Sequence, residues 1–135
     1  MKIFNKTING YWREMDVSYM PQKSGVYFVY RGKYDAASDR VSIRELLYVG
    51  KAENINERLL NHEKYGLWKR YLWNGEELLF SCTEEGTTAN ARLEAAYIYE
   101  HQPICNTQGK DSFNYPLTRV ISSGSTAQLQ LDFSV

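Results

Sequence analysis

The chain has 135 residues, 43% of them hydrophobic, and its 16 basic and 16 acidic side chains cancel to a formal net charge of zero. That length and apolar content suit one domain with one core, and the charge balance argues against a globally basic nucleic-acid binder, leaving that task to a local field. The two cysteines, Cys82 and Cys105, form no CxxC pair, and Pro103 interrupts the His101 to Cys105 spacing, so neither a disulfide framework nor a cysteine-based zinc site is expected.

Residues 1–24 read as a polar arm packed by Tyr11, Trp12 and Tyr19, closed by Pro21 and Ser24-Gly25. Gly25 to Arg31 predicts a first strand, with Tyr27 and Val29 on one face and Val26, Phe28 and Tyr30 on the other. Gly32 to Ser42 carries Lys33, Asp35, Asp39 and Arg40 and predicts a long hairpin loop. The apolar run Leu46 to Val49 predicts a second strand, and Gly50 is expected to turn the backbone tightly after it. Asn54 is a helix cap with Glu57 three residues on, and the helix is expected to run to about Glu63. Arg58 and His62, four apart, then stack along one edge of it. The four side chains Tyr48, Lys51, Arg58 and His62, aimed at one region, suggest a site for a phosphate.

Lys64 to Trp73 has Leu67, Trp68, Tyr71 and Leu72 at helical spacing, with Lys64, Lys69 and Arg70 as a basic side. Asn74-Gly75 predicts a turn and Glu77 to Cys82 a third strand. Thr87 or Thr88 is expected to cap a helix running to about Glu100. On its wheel Ala91, Ala95, Ile98 and Tyr99 share one side, and Asn90, Glu94, Tyr97 and His101 form a polar stripe on another. After a loop, Leu117 to Ile121 predicts a short strand and Ser122 to Ser125 a turn. Ala127, Leu129, Leu131, Phe133 and Val135 alternate with polar residues, which predicts a terminal strand paired with this chain's own sheet or with a second copy. No apolar run is long enough to span a bilayer and no signal-peptide pattern stands at Met1, so a cytoplasmic setting is the expectation.

Gly25-Val26-Tyr27 followed by Tyr48-Val49-Gly50 resembles the paired signature of the GIY-YIG nucleases. That family includes homing endonucleases, the incision subunit of bacterial nucleotide excision repair and some Type II restriction enzymes. Lys51 directly after the second triplet, Arg58 with His62 on the next helix, Glu94 on a later helix and Asn106 in Pro103-Ile104-Cys105-Asn106 extend the resemblance in the family's order. It covers residues 25–106, a nuclease-like core between an arm (1–24) and an extension (107–135) that match no general family motif.

The resemblance implies an α+β fold, a small three-stranded antiparallel sheet flanked by helices. It implies a divalent-metal-dependent DNA endonuclease that leaves 5′-phosphate and 3′-hydroxyl ends. One Mg²⁺ or Mn²⁺ per site would sit on Glu94, since a lone carboxylate suits an ion that keeps most of its waters. Arg58 would grip the scissile phosphate through its planar fork, or else snorkel on the surface. Tyr27 and Tyr48 would meet the attacking water, with Lys51 lowering the phenol's pKa, or else simply fill a pleated face. His62 is an alternative base or a plain helix-end histidine. Asn106 would hold a tyrosine or water, or terminate the helix region, and Gly25 and Gly50 are supporting positions. Lys33, Arg40, Arg44, Lys64, Lys69 and Arg70 are candidate DNA contacts or solvated charges. DNA is the expected partner, with a homodimer or a recognition partner in addition and no membrane. The competing classes are a non-catalytic nucleic-acid-binding module on the same scaffold and an interaction protein.

Overall fold

The computed structural model describes residues 1–135. Six strands form one sheet: β1 (Lys2–Arg13), β2 (Gly25–Asp35), β3 (Arg40–Ala52), β4 (Glu77–Glu84), β5 (Thr118–Gly124) and β6 (Asp132–Ser134). Three helices join them, α1 (Ile55–Leu60), α2 (Tyr65–Lys69) and α3 (Asn90–His101), together with a 3-10 turn at Glu14–Tyr19. The order across the sheet is β3-β2-β4-β1-β5-β6.

The expected three-stranded antiparallel sheet is present as β3-β2-β4, and the sheet is larger than expected because both flanks join it. The supposed arm supplies β1, whose second half runs antiparallel to β4 and whose first half runs parallel to β5. Only Phe4 and Ile8 are buried along it. Two apolar residues four apart in a polar setting fit either a helix or a strand, so the segment's identity comes from the edges it pairs with.

The central strands are covered on both faces, which is why Val26 to Tyr30 and Leu78 to Phe80 are unbroken apolar runs. On one face Val26, Phe28, Tyr30, Val49 and Leu79 pack against Leu93, Ala96 and Tyr97 of α3. On the other, Tyr27, Val29, Leu47, Leu78 and Phe80 pack against Ile55 and Leu59 of α1 and Trp68 of α2.

Several boundaries differ from expectation. β2 and β3 extend through the expected long loop, leaving a tight connection at 36–39 in which Asp35 accepts from the Ala37 N–H and the Ser38 hydroxyl. The strand β3 passes straight through Gly50 to Ala52 with no turn there. Helix α1 ends at Leu60, and α3 begins after Ala89 with no threonine cap. The wheel of α3 departs from its reading: Tyr97 is fully buried and Tyr99 is exposed, while Ile98 is buried beside Tyr97. The stripe that looked solvated faces the sheet, because its polar tips find partners there. Tyr97 Oη and Ser122 Oγ lie 2.6 Å apart, and Asn90 Nδ2 donates to the Ala52 carbonyl.

The alternating tail forms a strand only at Asp132–Ser134, antiparallel to β5 of the same chain. The Leu129 N–H donates to the Thr126 carbonyl and Gln128 has φ 67°, so the segment before it is a turn. Leu129 and Phe133 are buried while Leu131 is exposed. No helix is long and apolar enough to cross a membrane.

Candidate active site

The site lies where β3, an outer strand of the sheet, lets its two faces meet. Tyr27 and Gly50 are cross-strand partners on β2 and β3. A Cβ on Gly50 would stand 2.3 Å from the Tyr27 ring, so the missing side chain is the seat on which that ring lies. Gly25 is equally constrained, because a Cβ there would meet the Thr83 carbonyl at 2.1 Å. Glycine is needed at both places for close approach rather than for a turn.

A register shift opposite Val29 and Tyr30 makes Leu47 an extra residue in β3. Leu47 and Tyr48 then both turn toward α1 and α2, which puts Tyr48 beside Tyr27 with ring centroids 6.3 Å apart. Lys51 pairs with Val26 and so belongs to the opposite face, that of α3 and Glu94. The expected grouping of Tyr48, Lys51, Arg58 and His62 is therefore divided. Tyr27, Tyr48, Arg58 and His62 gather on one side of the edge, with Lys51 and Glu94 on the other.

His62 sits just beyond α1 rather than stacked on it, and the break at Asn61 turns its ring inward. Its side chain has no exposed surface. The Lys64 N–H donates to Nδ1 at 3.0 Å, so in the neutral ring Nε2 carries the proton and donates it to Tyr27 Oη at 2.8 Å. Burial, helped by the nearby Arg58 cation, lowers the imidazole pKa to about 4. His62 is thus a neutral donor to Tyr27 with no free lone pair, which does not suit it to be the base. Trp68 closes the back of the site, 4.5 Å from the His62 ring and 5.3 Å from Tyr48.

Neither tyrosine is made acidic by these surroundings. Burial raises the Tyr27 pKa well above its ordinary value, with the Arg58 guanidinium opposing weakly. Burial and then Glu94 raise Tyr48, and Arg58 again opposes. The expected lowering of Tyr48 by Lys51 does not occur, because Lys51 projects from the other face.

Glu94 is raised chiefly by burial, against which the Lys51 ammonium and the Lys51 backbone N–H hold it down. It lines a cleft of about 240 Å³ with Tyr48, Lys64, Ile98, Asn106, Thr107 and Gln108. Asn106 spends its amide on β3: Oδ1 accepts from the Val49 N–H and Nδ2 donates to the Val49 carbonyl, both at 3.0 Å. The Cys105 N–H donates to the Leu47 carbonyl as well. This segment covers the open edge of β3 and steadies the backbone on both sides of Tyr48.

Arg58 is engaged by a residue the sequence did not point to. Its two terminal nitrogens donate to the two carboxylate oxygens of Glu63 at 2.7 and 2.8 Å. The pairing raises the Arg58 pKa and holds the Glu63 carboxyl at about 2. Glu63 is five residues from Arg58, off helical spacing, and reaches it only because α1 stops at Leu60.

Of the basic candidates, Lys64 comes to the cleft, its ammonium 5.9 Å from the Tyr48 ring. Lys69 is paired with Glu14 at 2.8 Å, and Arg70 is exposed beyond α2. Lys33, Arg40 and Arg44 are exposed toward the far end of the β2–β3 hairpin. Lys33 is six residues along β2 from Tyr27, about 20 Å at the usual strand rise. No group of three or more His, Cys, Asp or Glu side chains is placed to hold a metal ion. Glu94 therefore fits an ion that takes one protein ligand and keeps its waters, and does not fit a closed cage.

Similarity to known proteins is distant and partial. UvrABC system protein C of Fervidobacterium nodosum is 31% identical over 103 residues, which are 75% of this chain and 16% of that protein. The same-named protein of Rickettsia bellii is 33% identical over 104 residues, 75% of this chain and 15% of the relative. That of Thermus thermophilus is 30% identical over 109 residues, 80% of this chain and 16% of the relative. The chain thus spans about 16% of the length of the curated relatives it matches. No family model matches the chain, and no solved structure does.

Proposed function

We propose that this chain is a DNA endonuclease of the GIY-YIG type, hydrolysing a phosphodiester with the help of one divalent cation and leaving 5′-phosphate and 3′-hydroxyl ends. The observation that carries the reading is the convergence at the β3 edge. A phenol cluster with an arginine occupies one face, and a single half-buried carboxylate with a lysine occupies the other. The similarity to UvrABC system protein C over three quarters of the chain supports it.

Each residue has a task that its surroundings permit. Arg58 presents a planar fork to the scissile phosphate and a fixed charge to the extra negative charge of the transition state. Tyr48, which lines the cleft with Glu94, would hold the attacking water. Tyr27, held by the His62 N–H, backs Tyr48 and keeps its ring on Gly50. Lys51 favours the ionised form of Glu94 against the pull of burial. Mg²⁺ or Mn²⁺ on Glu94 would supply Lewis acidity and the positive charge that makes a nearby phenol or water a better base. Specificity for a DNA sequence or structure would come from the flanks, the loops or a partner.

The test is cleavage of plasmid, branched and single-stranded DNA with and without Mg²⁺, using the native protein and Glu94→Gln. We expect the variant to fold and bind DNA but lose cleavage, since the change keeps shape and removes the charge that holds the ion. Undiminished cleavage by the variant, or cleavage in the presence of EDTA, overturns the metal assignment.

A further inference from the structure

We infer that Glu63 is a built-in competitor for the phosphate site: its carboxylate occupies the Arg58 fork, and a DNA phosphate must displace it to bind. This rests on the proposed role of Arg58 and adds a specificity-determining residue to the site.

The geometry is that of the complex it would prevent. A carboxylate and a phosphate present the same pair of oxygens to a guanidinium, and both accept two parallel N–H bonds. Glu63 makes both bonds, at 2.7 and 2.8 Å. Arg58 cannot give the same fork to two anions. Among the other carboxylates near the site, Glu94 is held by Lys51 and the exposed Glu57 makes no ion pair with Arg58. Glu63 alone takes the fork.

The pair is placed for exchange rather than for permanent closure. Glu63 keeps 64% of its side chain exposed and Arg58 36%, so water can solvate either one once they part. Exposed pairs of this kind are weak, and a phosphodiester on the Arg58 fork that also reached the neighbouring cleft would gain from Lys64, which lines it, as Glu63 does not. The adjoining residues are anchored: His62 is held between the Lys64 N–H and Tyr27 Oη, so Glu63 can swing without disturbing the phenol cluster. An anion offering a single weak contact would leave the latch shut. A phosphodiester seated in the cleft, with Lys64 engaged, would open it. The competitor thus raises the threshold for unproductive binding of stray anions and of DNA seated out of register.

The experiment uses the full chain with a short duplex in EDTA, so that binding is read without cleavage. Variants are Glu63→Ala, Glu63→Gln, Arg58→Ala, the double variant Glu63→Ala/Arg58→Ala, and Glu57→Ala as a control for loss of one negative charge nearby. We expect Glu63→Ala to bind about two- to fivefold tighter than the native protein. Glu63→Gln should show a smaller gain, because its amide oxygen still accepts one bond. Glu57→Ala should gain less than Glu63→Ala, and the Glu63→Ala gain should vanish when Arg58 is already alanine. In the cleavage assay Glu63→Ala should lower KM and leave kcat nearly unchanged. Gains equal to those of Glu57→Ala, or gains that persist without Arg58, overturn the latch and leave only general charge repulsion. A second readout is independent of any nuclease activity. Titration with inorganic phosphate, followed by ¹⁵N NMR of the Arg58 side chain, should shift its signals at lower concentration in Glu63→Ala than in the native protein. If no DNA binds but phosphate behaves in this way, the latch stands and the nuclease reading fails; if phosphate moves the signals equally in both proteins, the latch fails.

Discussion

His62 and Tyr27 form a unit whose direction is set by one backbone group. The Lys64 N–H occupies Nδ1, so the Nε2 proton faces the phenol, and a ring whose pKa lies at about 4 stays in that state across neutral pH. Residues that act as a unit lose their function together. We expect Tyr27→Phe combined with His62→Ala to cost no more in kcat than the worse of the two single changes. Additive losses in a double-mutant cycle would mean that each acts separately on the substrate. Gly50 belongs to the same unit. Gly50→Ala puts a methyl group 2.3 Å from the Tyr27 ring, and overpacking of this kind costs about 1–3 kcal/mol. The expected result is a lower melting temperature together with a larger loss of cleavage, because the displaced ring also loses its bond to His62. Native-like activity in this variant would show that the ring can move without consequence.

Among the elements, the tail and α3 are joined by a histidine. His101 donates from Nδ1 to the Tyr97 carbonyl and accepts at Nε2 from the Gln130 N–H. Burial lowers its pKa, as it does that of His62. In the unfolded chain both return to about 6.5. The unfolded state then binds more protons than the fold below that pH, so this stability is complete above about 6.5 and is lost as pH falls toward 4. Glu94 acts in the opposite sense, since its raised pKa makes the fold the better proton binder there. In a Glu94→Gln background, thermal unfolding should therefore show a melting temperature that drops between pH 7 and pH 5. Adding His101→Gln should make that drop shallower. A melting temperature flat over this range would show that neither ring is held neutral by the fold. The short strand β6 and the buried Leu129 and Phe133 make the tail part of the same unit as α3.

Over the whole molecule, six of the sixteen basic side chains are held in ion pairs, Arg58 with Glu63 among them. Lys6 meets Glu85, Arg13 meets Glu77, Arg31 meets Glu45 and Glu76, Lys69 meets Glu14, and Arg119 meets Asp132. Those that act on Glu94 or Tyr48 or line their cleft are Lys51, Lys64 and, once Glu63 leaves, Arg58. Each phosphate neutralised contributes about −0.9 to the slope of log K against log salt. Duplex binding should accordingly show a slope no steeper than about −3. A slope about twice that would reveal a basic surface elsewhere, with Lys33, Arg40 and Arg44 as the first residues to replace.

The sequence by itself determined the three central strands, the existence of α3 and most of the residues that meet at the β3 edge. The apolar runs Val26 to Tyr30 and Leu78 to Phe80 are long enough to demand burial on both faces, and the Asn54 cap does mark the start of α1, accepting from the Glu57 N–H. Tertiary structure alone decided what depended on a distant neighbour. The segment Lys2–Arg13 is a strand because β4 and β5 offer it edges, and its own pattern of Phe4 and Ile8 is too sparse to say so. The polar stripe of α3 turns inward because Ser122 and the β3 backbone receive it. Lys51 parts from Tyr48 because β3 continues straight through Gly50, so two residues three apart fall on opposite faces. Gly50 makes room for a ring twenty-three positions earlier in the chain. Glu63 reaches Arg58 only where a helix ends three residues short. Local pattern specifies which face a residue prefers, while the partner that satisfies a buried polar group is chosen by contacts between residues far apart in sequence.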